Sequence, residues 1–238
     1  MEKKYELTDI KIEVFGKTLF RIKALRDIEW FGVEKGDFGG YIEEEKNLSQ
    51  NGDAWVSGNA RVSGNAWVSG NARVSGNARV YGDAWVSGNA WVSGNARVSG
   101  NARVYGDAWV SGNAWVSGNA RVSGNARVSG NAWVYDDARV YGDAWVSGNA
   151  RVSDNARVSD NAGVIWLSSI GSRHGTTTAF RTKYGVIWIK CGCFTGTLDE
   201  FKSKVEETHG DNKFGREYKA AIELIKIHFG EQGESNNG

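Results

Sequence analysis

Residues 83–106 read DAWVSGNAWVSGNARVSGNARVYG, and this stretch displays the six-residue unit that decides the fold. Alanine occurs at every sixth position from Ala54 to Ala162, and a valine follows each alanine two places later. Trp or Arg lies between them, except at Gly163, and Ser or Tyr, Gly or Asp, and Asn or Asp complete the unit. Such strict self-similarity at a short fixed period predicts a solenoid.

Each unit combines a short strand with a corner. Alanine and valine, two places apart, project to one side of a strand, while the Trp/Arg and Ser/Tyr positions project to the other. Gly-Asn and Gly-Asp pairs turn the chain because both residue types tolerate a positive φ. A single unit buries almost nothing, so stacked coils must form the core and satisfy the strand hydrogen bonds.

The pattern resembles the hexapeptide repeat of left-handed β-helix proteins, in which a small residue follows an aliphatic one four places later, as with Val56 and Ala60. The resemblance implies left-handed, triangular coils of eighteen residues, three units to a coil. We therefore predict a mainly β fold: a left-handed parallel β-helix of about six to seven triangular coils, stacked at roughly 4.8 Å per layer. An N-terminal β cap and a small C-terminal α+β domain flank it.

Stacking of residues eighteen apart predicts three outer ladders of Trp and Arg. The ladders either stabilise the sheets alone, by ring and guanidinium stacking, or form an interface, because Trp and Arg dominate binding hot spots. We favour an interface that includes self-association. Its candidate residues are Trp55, Trp67, Trp85, Trp91, Trp109, Trp115, Trp133, Trp145, Arg103, Arg121 and Arg139.

A duplication within the repeat favours a scaffold. Residues 83–106 and 107–130 are identical except that Tyr105 corresponds to Ser129. Twenty-four residues are four units but not a whole number of eighteen-residue coils, so the duplication rotates everything downstream by a third of a turn. A repetitive adhesive surface tolerates that rotation, whereas a finely placed active site does not.

Two alternative functions remain open. Left-handed β-helix proteins are often acyltransferases, which resemble one another in a catalytic histidine on a coil and an extruded loop, but residues 51–164 contain no histidine and no insertion. We predict no catalytic residue and no cofactor. The ten arginines of the coils, interleaved with aromatic residues, are the type of surface that binds single-stranded nucleic acid, although the small net charge disfavours this.

The predicted organisation is an N-terminal β cap at 1–37, the β-helix at 38–164, an α+β module at 165–230 and a disordered tail at 231–238. A hairpin turns near Phe15-Gly16-Lys17 in the cap. In the C-terminal module VIWLSS, TTTAFRT and VIWIKC read as strands, with a turn at Tyr184-Gly185. Thr197 and Glu200 predict a capping box that opens one helix, ended by Gly210, and a second helix spans about Phe214 to Phe229.

The C-terminal module contains the only concentrated chemistry. It resembles a module of uncharacterised bacterial and phage-borne hexapeptide-repeat proteins that carries a G-S-R, T-T and C-G-C-F pattern. Packing of a strand–helix junction is the simplest role for these side chains, and the alternatives are a pocket for a small anionic ligand, thiol chemistry, or a metal at Cys191, Cys193 and His209. We predict no metal, and the candidate pocket residues are Ser172, Arg173, Arg181, Cys191, Cys193 and His209.

Composition gives a cytoplasmic binding protein as the overall expectation. The formal net charge is +1, and the N-terminus MEKKYELTDI has no apolar segment typical of a signal peptide. No apolar run is long enough to span a bilayer, so we expect no membrane partner. We expect a non-enzymatic scaffold that binds itself, as a dimer or trimer, and another protein. If the chain is phage-encoded, as the resemblance implies, the partner protein belongs to the bacterial host and is, for example, a defence component.

Overall fold

A computed structural model describes residues 3–230, which form a mainly β protein built around a solenoid of about seven turns. The repeat region supplies eighteen strands of two residues each, one per six-residue unit. These strands, β4 to β21, are in chain order Trp55–Val56, Arg61–Val62, Trp67–Val68, Arg73–Val74, Arg79–Val80, Trp85–Val86, Trp91–Val92, Arg97–Val98, Arg103–Val104, Trp109–Val110, Trp115–Val116, Arg121–Val122, Arg127–Val128, Trp133–Val134, Arg139–Val140, Trp145–Val146, Arg151–Val152 and Arg157–Val158.

Every third strand pairs in parallel register, which confirms the predicted eighteen-residue coil. Trp91 lies beside Trp109 and Val92 beside Val110, and the same offset repeats along three sheets. Backbone N–H groups point toward the C-terminal end of the solenoid, as when Trp91 N donates to Ala108 O at 2.9 Å. The carbonyl oxygens of each coil therefore accept from the coil before it, and its N–H groups donate to the coil after it. The N-terminal end of the stack is left with acceptors, and the C-terminal end with donors.

Small apolar side chains fill the inside of the coils. The repeat alanines from Ala54 to Ala156 and valines from Val56 to Val158 are fully buried. Glycine occupies most corners because the backbone is left-handed there and the coils approach closely, while Asp136 and Asp154 adopt the same conformation at two corners. Gly112 has a φ of 67°, and a Cβ at this position would lie 3.0 Å from the backbone nitrogen of Gly130.

An antiparallel hairpin precedes the coils, with its turn at the predicted place. Strand β1 (Tyr5–Val14) pairs with β2 (Lys17–Ala24), and β2 pairs with β3 (Phe38–Ile42), which is also parallel to β5. Short 3-10 helices follow β2 at Glu29–Phe31 and β3 at Glu45–Asn47. The hairpin thus extends one solenoid sheet in the N-terminal direction.

After a third 3-10 helix (Asn161–Gly163), the chain forms an antiparallel sheet covered by two helices. The sheet has four strands, β22 (Val164–Ile170), β23 (Gly175–Arg181), β24 (Ile187–Cys191) and β25 (Phe194–Thr197). Helix α1 (Leu198–His209) begins with the predicted capping box, and α2 (Lys213–Phe229) ends at Gly230. Three strands and both helices confirm the sequence prediction, whereas β25 was not expected.

Strand β23 of the C-terminal sheet packs directly on the last coil. Phe180 is fully buried in the same apolar core as the repeat valines. The Thr178 hydroxyl accepts a hydrogen bond from Arg151 N at 3.0 Å, and Asn161 Oδ1 accepts one from Trp145 N at 2.9 Å. These oxygens replace the carbonyls that a further coil would supply. The predicted tail, 231–238, lies outside the described residues, and within 3–230 no helix is both long and apolar enough to cross a membrane.

Candidate binding surfaces

The three predicted Trp/Arg ladders are present on the outside of the solenoid. We call the sheet of β4, β7, β10, β13, β16 and β19 the first face, and that of β6, β9, β12, β15, β18 and β21 the third face. The second face is formed by β5, β8, β11, β14, β17 and β20. The first-face ladder is Trp55, Arg73, Trp91, Trp109, Arg127 and Trp145.

Rings and guanidinium groups on the first face stack along the solenoid axis. The Trp91 and Trp109 rings are parallel within 1°, with centroids 5.0 Å apart. Arg73 lies over Trp91 at 5.3 Å and Arg127 over Trp109 at 5.8 Å. Each such contact contributes a fraction of a kcal/mol to about 2 kcal/mol, depending on its exposure.

Hydrogen bonds hold the indole rings in place. The Nε1 atoms of Trp91, Trp109 and Trp145 donate to serine hydroxyls of the preceding coil, at 3.0, 3.3 and 3.2 Å. The polar edge of each ring is therefore satisfied within the chain, while 37%, 37% and 52% of the three residues remain exposed. These tryptophans are preorganised apolar surface.

Trp55 does not belong to this surface, so its prediction as an exposed interface residue is wrong. It is only 1% exposed because the N-terminal segment covers it. The Tyr5 ring meets it edge-on, with centroids 6.5 Å apart. Strand β1, which carries Tyr5, is distant in sequence, and the repeat pattern gives no sign of this cover.

The second and third faces carry fewer exposed tryptophans. Trp67 and Trp85 approach within 5.0 Å on the third face, and Trp115 and Trp133 within 5.1 Å on the second. Trp115 is half-buried, and its indole donates to Ser99 at 2.9 Å. Both faces contain consecutive arginines, which separates the aromatic from the cationic part of each ladder.

Four arginines follow the two tryptophans on the third face: Arg103, Arg121, Arg139 and Arg157. The last three line a shallow cleft with Tyr105 and Tyr141. Burial lowers the pKa of Arg157, and the positive charge of Arg139 lowers it further. Like charges in neighbouring strands repel each other, so this ladder favours an anionic counterpart.

A second candidate site is a cleft of about 480 Å³ in the C-terminal module, between the β24–β25 turn, α1, α2 and the loop after β22. The structure brings five of the six predicted pocket residues together there: Ser172, Arg173, Cys191, Cys193 and His209. Arg181 lies elsewhere, so its assignment to the pocket is wrong. Its Nη2 donates to Phe229 O at 2.6 Å, and its guanidinium lies over the Phe229 ring.

Cys191 belongs to a short chain of hydrogen bonds at the base of the cleft. The Thr177 hydroxyl donates to Cys191 Sγ at 3.1 Å, and the thiol donates to the Tyr218 hydroxyl at 3.7 Å. Burial raises the pKa of Tyr218, and the bond to Cys191 adds to this. The Tyr218 hydroxyl therefore stays protonated near neutral pH, which fits a recognition site. Within residues 3–230, no three His, Cys, Asp or Glu side chains lie close enough together to hold a metal ion.

Sequence reasoning missed other members of the cleft. Phe194, Phe201, Lys204, Thr208 and Tyr218 also line it. Phe201 and Tyr218 lie on the buried faces of α1 and α2, and the packing of these helices against each other places them at the cleft. Phe194 was within reach of sequence analysis, since it ends the C-G-C-F pattern.

Comparison with known families supports the reading of the repeats. The family model described as YdcK Beta solenoid repeat matches residues 54–70, 72–88, 96–112, 102–118, 114–130, 120–136, 132–148 and 150–164. A comparison with curated proteins finds no match. The matches follow the coils and extend neither to the N-terminal hairpin nor to the C-terminal module. Together with the stacked sheets, they support a β-helix repeat architecture for this part of the chain.

Proposed function

We propose that the chain is a non-enzymatic scaffold that self-associates and holds another protein through the first face of its solenoid. The observation that carries this proposal is that Trp91, Trp109 and Trp145 are all exposed on one face and that hydrogen bonds fix their rings. Large rings held in place before binding lose little conformational entropy, and buried tryptophans supply much of the energy at interfaces.

Two observations favour a scaffold over an acyltransferase. The segment 51–164 has no histidine that could act as a general base on the coils. The duplicated string also places its equivalent residues on different faces, since Trp85 lies on the third face and its counterpart Trp109 on the first. A binding surface made of repeated stacked rings tolerates this rotation.

We also propose that the coils are left-handed, as the hexapeptide resemblance implies, and that the N-terminal segment caps them. Side-chain donors meet carbonyls at the N-terminal end, where the solenoid presents acceptors. Lys4 Nζ donates to Ala54 O at 2.7 Å, and Asn47 Nδ2 donates to Ala66 O at 2.8 Å. A crystal structure of the full chain tests the hand of the coils.

Affinity capture from bacterial lysate tests the proposed surface. We expect the Trp91→Ser/Trp109→Ser double variant to lose partners that the native chain retains, because truncating a hot-spot tryptophan costs about 2 kcal/mol or more. Trp67→Ser/Trp85→Ser is the matched control, since it removes a similarly exposed pair from the third face. Partners retained by the first variant, or lost equally from both, would contradict a first-face interface.

The arginine ladder of the third face supports a second candidate, binding of single-stranded nucleic acid. Its test is the binding of a labelled oligothymidylate across a salt series. Arg121→Gln/Arg139→Gln should reduce the slope of log K against log salt by about 1.4, since each lost phosphate contact in a single strand accounts for roughly 0.7. An unchanged slope, or no binding by the native chain, would remove this candidate.

A further inference from the structure

We propose that the cleft of the C-terminal module binds a small organic anion with a flat, apolar body. The inference is independent of the solenoid faces, because the cleft lies between the four-stranded sheet and the two helices. Its volume of about 480 Å³ lies in the range of small-molecule sites. Its walls differ in chemistry from base to rim, and this difference defines the ligand class.

The base of the cleft is aromatic. The Phe194 and Phe201 rings lie 5.2 Å apart, and Phe201 meets Tyr218 edge-on at 5.6 Å. His209 stacks on Tyr218, with centroids 5.7 Å apart. A flat apolar group placed here exchanges water for ring surface, which is the dominant favourable contribution to binding.

The rim is cationic, and the lining contains no carboxylate. Arg173 is exposed and has no carboxylate within ion-pair distance among residues 3–230. Lys204 also borders the cleft, although it pairs with Glu207 at 2.7 Å. A carboxylate, sulfonate or phosphate on the ligand would therefore meet the unpaired guanidinium of Arg173.

The loop that presents Arg173 is held close to the base of the cleft. Gly171 has a φ of 72°, and any side chain at this position would overlap the Tyr218 ring. Glu217 accepts a hydrogen bond from Gly171 N at 2.7 Å, which ties the loop to α2. The backbone of the loop that carries Arg173 is therefore fixed beside the aromatic base, which leaves the guanidinium at the rim, where an anion can bind.

The native cysteines of the chain can report whether the cleft is occupied. Its two cysteines, Cys191 and Cys193, both line the cleft. Cys193 is exposed and Cys191 is half-buried. A bound ligand should therefore slow thiol modification without any engineered label, and no other thiol contributes to the signal.

The test uses the full chain with 8-anilinonaphthalene-1-sulfonate, an anion with a flat naphthalene ring system, and N-phenyl-1-naphthylamine, which has the same rings without the sulfonate. We expect the sulfonate to bind and to slow the reaction of Cys193 with a maleimide. Arg173→Gln should weaken sulfonate binding about threefold, the effect of one charge about 6 Å away in a water-like dielectric, and leave the neutral probe unchanged. Arg216→Gln, which alters an exposed arginine outside the cleft lining, is the matched control.

A second variant tests the position of the ligand. Thr208→Trp places a large ring on an exposed helical position at the rim, where folding should not suffer, and should abolish protection of Cys193. Sulfonate binding without protection of the cysteines would overturn the proposal, as would equal losses in the Arg173 and Arg216 variants. Equal affinity for both probes, or no binding of either, would also overturn it.

Discussion

Replacing Thr178 by valine tests how the C-terminal module stabilises the end of the solenoid. Its hydroxyl accepts the Arg151 N–H at 3.0 Å, and the residue is 1% exposed. Valine keeps the shape and leaves this amide without its partner, beside a buried side chain. An unpaired buried donor costs about 1–3 kcal/mol, so we expect the free energy of unfolding to fall by that amount.

Urea denaturation measures the loss, and hydrogen exchange of the Arg151 amide locates it. Thr176→Val is the matched control, since this residue lies on the same strand and its hydroxyl bonds Ser168 at an exposed site. We expect the control to change stability by less than about 0.5 kcal/mol. Equal stability of the Thr178 variant and the native chain, or equal losses in both variants, would refute the account of this junction.

Three further predictions concern the coils and their N-terminal end. Gly112→Val should lower the free energy of unfolding by about 1–3 kcal/mol. Gly112→Asp should lower it by less, because Asp136 already occupies an equivalent corner at a φ of 56°, and urea denaturation compares the two variants. Burial lowers the pKa of Lys4 to about 8, with Arg26 adding to the effect. The native chain should therefore gain stability relative to Lys4→Met as pH rises from 8 to 10, by up to about 1.4 kcal/mol per pH unit. Deleting residues 107–124 should remove one coil and shorten the folded chain by about 4.8 Å, measured by small-angle scattering.

Each of these has a result that would count against it. Equal effects of valine and aspartate at Gly112 would show that the left-handed backbone does not limit the corner. A flat stability difference between pH 8 and 10 would mean that Lys4 carries its charge without cost. Loss of the β spectrum in the deletion variant would show that the coils are not interchangeable units.

The fold of the repeat region was predictable because the residues of each six-residue unit determine its own strand and its own turn. Alanine and valine at alternating positions set the inside, and glycine at the corner sets the turn. Together with the three-unit coil that the hexapeptide resemblance implies, the six-residue period predicted the register of Trp91 against Trp109. The capping box at Thr197 was equally local. Local patterns of this kind predict structure because the contacts that they form lie within the same short segment and depend little on the rest of the chain.

Contacts between distant segments were not predictable. Trp55 looks like every other repeat tryptophan, but the N-terminal segment that carries Tyr5 covers it. Lys4 and Thr178 pair with the two ends of the solenoid, but nothing in their sequence neighbourhood indicates it. Strand β25 was hidden because its residues, Phe194 to Thr197, form a short segment between a C-G-C turn and a helix cap.

The solution mass of the chain, measured by sedimentation equilibrium over a range of concentrations, tests the scaffold proposal most directly. A single chain has a mass of 26.0 kDa. We expect the native protein to form a dimer or trimer, and Trp91→Ser/Trp109→Ser to sediment as a monomer with an unchanged β spectrum. A native chain that stays monomeric at every concentration, or a variant that associates as strongly as the native chain, would contradict the proposal.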